Sequence, residues 1–129
     1  MKHRKKDDLL RLNLNLSTQI CNTLKKDNLN KNGYSWETLV GYTVLELKSY
    51  LESLFVGGMS WNNHGTFWEI DHIVPRSFFN FEISGAIRAC WSFENLMPIE
   101  KQANREKSNQ ISEKFENFEL SKKFQTFSK

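Results

Sequence analysis

The sequence is poor in the residues that staple or interrupt small proteins. Its 129 residues include two cysteines, two prolines and six glycines. The cysteines, Cys21 and Cys90, stand far apart and neither belongs to a Cys-x-x-Cys pair. That excludes a zinc ribbon or zinc finger and leaves two reduced thiols, the usual state in a cytosolic setting. No apolar run approaches the roughly 20 residues that a membrane-spanning helix needs. The basic stretch from Lys2 to Lys6 is not followed by an apolar segment, so no secretory leader is expected. Internal repeats, low-complexity tracts and a recognisable helix-turn-helix are also missing.

Aromatic side chains, by contrast, are plentiful: 13% of the chain, with ten Phe and four Trp. They supply the bulk for one modest core, and the length suits a single compact domain. Charge is unevenly spread. Residues 1–33 carry eight Lys/Arg against three Asp, residues 34–100 three against eight acidic groups, and residues 101–129 seven against four. An acidic middle between two basic ends places expected phosphate contacts at the ends, although a solvated basic surface gives the same letters.

Leu12, Leu16, Ile20 and Leu24 recur every four residues, which predicts an amphipathic helix over Asp7 to Leu29 in preference to the strand that Leu10–Leu16 also permits. The polar run Asp27–Gly33 is the best boundary in the chain. The expected organisation is therefore a basic, helical N-terminal segment (1–33) and a second part (34–129). Ser35–Val40 reads as a helical turn ending at Gly41. Thr43 and Glu46 have the capping-box spacing for a core helix running to about Phe55, stopped by Gly57-Gly58. Ser84 is expected to cap a short helix over Gly85–Trp91, with Cys90 and Trp91 buried. Ile111, Phe115, Phe118, Leu120, Phe124 and Phe127 suggest a C-terminal helix lying back on the core.

The chemistry-bearing residues are concentrated between Trp68 and Asn109. Glu69 to Val74 alternates and reads as a short strand before Pro75. Phe93–Met97 reads as a second extended piece, because a residue before proline is biased away from the helix. Pro98 then suits the first position of a helix that carries Glu100, Asn104 and Lys107 on one face. Asp71 and the amide oxygen of Asn104 are hard oxygen donors, suited to Mg²⁺ or Mn²⁺. His72 titrates near neutrality and is the natural general base for activating water. Adjacent strand residues point to opposite faces, so Asp71 and His72 can share a site only where the strand bends or ends. Glu69 falls on the same face as Asp71, either to assist there or as a solvated carboxylate. His64 is a third ligand or an ordinary loop histidine, the latter being the commoner case. Arg76, Arg105 and Lys107 are candidate phosphate contacts, with surface arginine the equal alternative for Arg76.

Asp71-His72-Ile73-Val74-Pro75, Asn95-Leu96-Met97-Pro98 and Asn104-x-x-Lys107 together resemble the HNH endonuclease family, and most closely its small free-standing phage and viral members. Leu39-Val40-Gly41-Tyr42-Thr43, Leu47-x-x-x-Leu51-Glu52 and Gly58–Asn62 extend the likeness over about Ser35 to Asn109. The resemblance implies an α+β fold with a ββα-metal (His-Me finger) core over 68–109, framed by N- and C-terminal helices. It implies metal ligands at Asp71 and Asn104, a catalytic base at His72, and at Asn95 a residue that braces the loop and the base. Asn104 stands where many relatives carry histidine, which favours a harder ion than zinc. Met97-Pro98-Ile99 replaces the usual Gln-Pro-Leu.

The expected activity is thus phosphodiester hydrolysis in DNA, double-stranded in the first instance, by nicking or double-strand cutting. The expected cofactor is one divalent cation, Mg²⁺ or Mn²⁺ before Ni²⁺ or Zn²⁺. The protein would act as a monomer or homodimer, away from membranes, in the cytoplasm of a bacterium or virus-infected host cell. The rival expectation is a module of the same fold that binds DNA without cutting it; a nuclease directed at RNA is a further one.

Overall fold

The computed structural model describes residues 4–102 and 119–129, with side chains from Asp7 onward. Asn104, Arg105 and Lys107 lie outside the described residues, as do Ile111, Phe115 and Phe118. The fold is α+β. Helices α1 (Arg4–Lys26), α2 (Trp36–Val40), α3 (Val44–Ser53) and α4 (Ala86–Cys90) accompany strands β1 (Trp68–His72) and β2 (Leu96–Glu100). The two strands form an antiparallel pair, with Trp68 opposite Glu100, Ile70 opposite Pro98 and His72 opposite Leu96.

The four-residue stripe of α1 is its buried face. Leu12, Leu16, Ile20 and Leu24 join Trp36, Leu47, Leu51, Trp68, Trp91 and Phe124 in one contiguous apolar cluster. Helix α2 starts at Ser35, whose hydroxyl accepts from the Thr38 N–H. It ends at Gly41, whose φ of 88° is a left-handed conformation that favours glycine. The α3 capping box forms in both directions: the Thr43 hydroxyl accepts from the Glu46 N–H, and the Glu46 carboxylate from the Thr43 N–H. Two tyrosines then tie this region to the segment leading into β2. The Tyr42 hydroxyl donates to the Trp91 carbonyl (2.7 Å), and that of Tyr50 to Phe93 (2.6 Å).

Several expectations are corrected. Pro98 does not start a helix; it sits in the middle of β2, and helical residues begin only at Lys101. Among the described residues strand β2 pairs with β1 alone, and a strand paired on one side tolerates a residue that cannot donate a hydrogen bond. Glu100 is consequently a strand residue and shares no helix face with Asn104. Phe93–Asn95 forms a 3₁₀ turn instead of extended chain, and β1 ends at His72, not Val74. Ser84 caps nothing: Gly85 occupies that position with φ 90°, and no side-chain cap is made. Helix α3 stops at Ser53, before the glycine pair, and leaves Leu54 on the surface.

Near the C-terminal end, residues 119–123 are helical, Phe124 is buried and Lys122 and Lys123 stay exposed. Residues 127–129 run beside 78–80. The Asn80 N–H donates to the Phe127 carbonyl (2.8 Å) and the Lys129 N–H to that of Phe78 (3.1 Å).

Candidate functional site

Strand β1 ends on the residues of interest. Asp71 and His72 are its last two positions, and the chain bends at Ile73 and Val74 before Pro75. Because pairing stops there, two neighbours that a longer strand would direct to opposite faces both line one cleft of about 450 Å³. Glu69 and His64 line it too, and α1 closes the opposite wall with Asn15 and Gln19. Sequence reasoning missed these two amides. Their signal was the four-residue spacing beside the buried Leu16 and Ile20, which puts both on one flank of α1. They bond each other, the Gln19 amide donating to Asn15.

The bend after β1 is fastened by Asn95, which is completely buried. Its amide oxygen accepts from the Val74 N–H (2.7 Å), and its Nδ2 donates to the carbonyls of Val74 (3.1 Å) and Cys90 (2.8 Å). The Asn95 backbone carbonyl also accepts from the Ile73 N–H (2.9 Å). A carboxamide fits here because it offers an acceptor and two donors at once. One buried side chain thus joins the loop after Asp71-His72 to the end of α4.

The His72 ring packs edge-on against Trp91, with centroids 4.2 Å apart and an interplanar angle of 86°, and its Nε2 is buried. Trp91 is itself fully buried, so the imidazole is oriented by the core from behind. His64 stacks on Trp68 at 4.3 Å. Burial lowers its pKa from the ordinary histidine range, and Arg11 lowers it further, against the opposing pull of Glu69 and Asp8. Burial also pushes the Cys90 thiol well up, which makes it a packing residue and a poor nucleophile.

Arg76 begins the turn after Pro75 and is exposed at the mouth of the cleft; its guanidinium reaches the Thr23 hydroxyl of α1 at 3.3 Å. Asp71, His72, Asn95 and Arg76 are therefore brought to one region, while Asn104, Arg105 and Lys107 follow β2 outside the described residues. Among the described residues, no group of three His, Cys, Asp or Glu side chains is arranged to hold a metal ion. Nor, among them, is any helix long and apolar enough to cross a membrane.

The site is therefore a polar cleft built on the end of a two-stranded sheet in an α+β fold. The chain is 32% identical over 72 residues to Uncharacterized protein L426 of Acanthamoeba polyphaga mimivirus, covering 56% of this chain and 32% of that protein. It is 28% identical over 101 residues to Uncharacterized protein L246 of the same virus, covering 78% of this chain and 43% of that one. The chain thus spans less than half the length of these relatives. No protein-family model matches it, and no solved structure does.

Proposed function

We propose that the chain is a divalent-metal-dependent DNA endonuclease of the HNH type, with a ββα-metal core around β1 and β2. The observation that carries this reading is the meeting of a carboxylate and an imidazole, Asp71 and His72, in one polar cleft beneath a loop locked by Asn95. Asp71 supplies a hard oxygen donor in polar surroundings, which suits Mg²⁺ or Mn²⁺. Asn104 is its proposed companion, and Ni²⁺ or Zn²⁺ are second choices. When bound, such an ion stabilises the negative charge that develops on the phosphate oxygens.

The protein's own residues perform the remainder. His72 accepts a proton from water, and the resulting hydroxide oxygen forms the new bond to phosphorus as the bond to the 3′ oxygen breaks and that oxygen takes up a proton from solvent water. The products carry 5′-phosphate and 3′-hydroxyl ends. Trp91 fixes the imidazole and Asn95 fixes the loop, so neither group has to be ordered during the reaction. Arg76 holds a neighbouring phosphate, and Arg105 and Lys107 extend that contact beyond Asn104. One such site cuts one strand at a time, so duplex cutting requires two copies.

The test is a supercoiled plasmid assay in Mg²⁺, Mn²⁺, Ni²⁺, Zn²⁺ or EDTA, with His72→Ala in parallel. Open circles should appear with metal and vanish in EDTA, and the variant should be slower by about 10²–10⁴-fold, the worth of a general base. Linear product at early times indicates paired sites. A folded His72→Ala protein that cuts normally removes His72 from the mechanism. DNA binding with an intact plasmid in every ion replaces the enzyme with a binding module. Cleavage of RNA alone corrects the substrate.

A further inference from the structure

The cleft holding Asp71 and His72 does not stop at Arg76. A second cavity, of about 520 Å³, adjoins it and shares both Gln19 and Arg76 with it. Three separate parts of the chain build its walls. Helix α1 contributes Gln19, Thr23 and Lys26, spaced four and three residues apart on one face. The turn after Pro75 contributes Arg76 and Ser77. The pairing of residues 127–129 with 78–80 brings in Lys129. Three basic side chains, those of Lys26, Arg76 and Lys129, thus line the cavity with one acidic side chain, Asp27, in a molecule whose segment 34–100 is acidic as a whole.

We infer that this second cavity binds the sugar-phosphate backbone of the nucleic-acid strand, beside the phosphate held at Asp71 and His72. The inference rests on the nuclease reading and adds the path of the strand: from the cleft past Arg76 and along the C-terminal half of α1. Continuity selects the ligand. Nucleic acid carries closely and regularly spaced charges, so a single strand engages both cavities at once, whereas an isolated anion fills only one. Lys26 and Lys129 supply charge, and the exposed Ser77 supplies a hydroxyl of the kind that positions a backbone without reading bases. The cavity is thus a sequence-independent subsite.

The experiment measures binding of a fluorescein-labelled DNA duplex by the full chain in EDTA, by anisotropy, across a salt series. Plasmid cleavage in Mg²⁺ is followed separately. Lys26→Ala and Lys129→Ala should each weaken binding several-fold at low salt and flatten the dependence of log K on log salt by about 0.9, the loss of one phosphate contact. Asp27→Asn should tighten binding. Lys25→Ala removes the same charge from an exposed neighbour outside the cavity and should leave the slope unchanged. Equal slopes for Lys26→Ala and Lys25→Ala overturn the inference, because bulk charge then explains both. His72-dependent cleavage with unaltered binding by the Lys26 and Lys129 variants sinks the subsite and leaves the nuclease. Lys26-dependent binding without cleavage does the reverse, and absence of any DNA binding overturns both.

Discussion

Asn95 ties together two segments of backbone beside the cleft through one buried side chain. Three hydrogen bonds of its amide satisfy the backbone N–H and carbonyl of Val74 and the last carbonyl of α4, all without access to water. Asn95→Ala leaves these backbone groups buried and unmatched, at about 1–3 kcal/mol for each that cannot relax toward solvent. A total near 3 kcal/mol is expected, which lowers the melting temperature by roughly 10 °C for a chain of this size. Thermal unfolding followed by circular dichroism measures it, and an unchanged curve would show that the bend holds without the amide. Asn95→Asp should fare no better. It keeps an acceptor for the Val74 N–H but sets a carboxylate against two carbonyl oxygens. Activity should fall in both variants through a displaced Asp71-His72 pair, which separates this role from that of His72, whose replacement by alanine should spare the fold.

Helix α1 shows what local pattern can and cannot specify. Two of its leucines, Leu14 and Leu16, have the same propensity, yet Leu16 is fully buried and Leu14 is 57% exposed. Leu16→Ala should cost about 2–5 kcal/mol, lost transfer energy plus the cavity left behind. Leu14→Ala should change stability by less than about 0.5 kcal/mol, as surface substitutions do. Urea titration of the two variants reads the contrast directly, and similar midpoints would mean that α1 does not pack by its four-residue stripe. That stripe was legible in the sequence, as were the Thr43 cap and the Gly41 stop, because each depends on residues within one or two turns. Pro98 was misread for the complementary reason. Its missing N–H suits a helix start equally well in isolation, and pairing with β1 from some thirty residues away decides for a strand. Ser84 was misread because a glycine next to it takes the left-handed conformation with less strain. Of the cleft, Asp71, His72 and Asn95 were legible as a spaced motif. Asn15 and Gln19 were not, since only the packing of α1 brings them across from β1.

At the scale of the whole molecule, the polar boundary at Asp27–Gly33 separates segments of sequence but not of core. Leu12, Leu16, Ile20 and Leu24 lie in the same apolar cluster as Trp36, Leu47, Trp68 and Phe124. Cross-links reinforce the join: the Trp36 indole donates to Asn13 (2.8 Å), and Lys31 to Ser17 (2.8 Å). Burying four such aliphatic side chains contributes roughly 6–12 kcal/mol. The net stability of a domain is only about 5–15 kcal/mol, so residues 34–129 alone should lack a cooperatively folded state. The same removal takes Asn15 and Gln19 from the cleft and Lys26 from the adjoining cavity, which ties the function of α1 to its packing. A protein of residues 34–129 should therefore show weak near-ultraviolet circular dichroism from its tryptophans, a broad non-cooperative thermal transition and no His72-dependent cleavage. A sharp transition with native-like aromatic signals would instead make 34–129 an independent folding unit. In that event α1 would be an appendage, and loss of DNA binding in the truncated protein could be assigned to its basic residues alone.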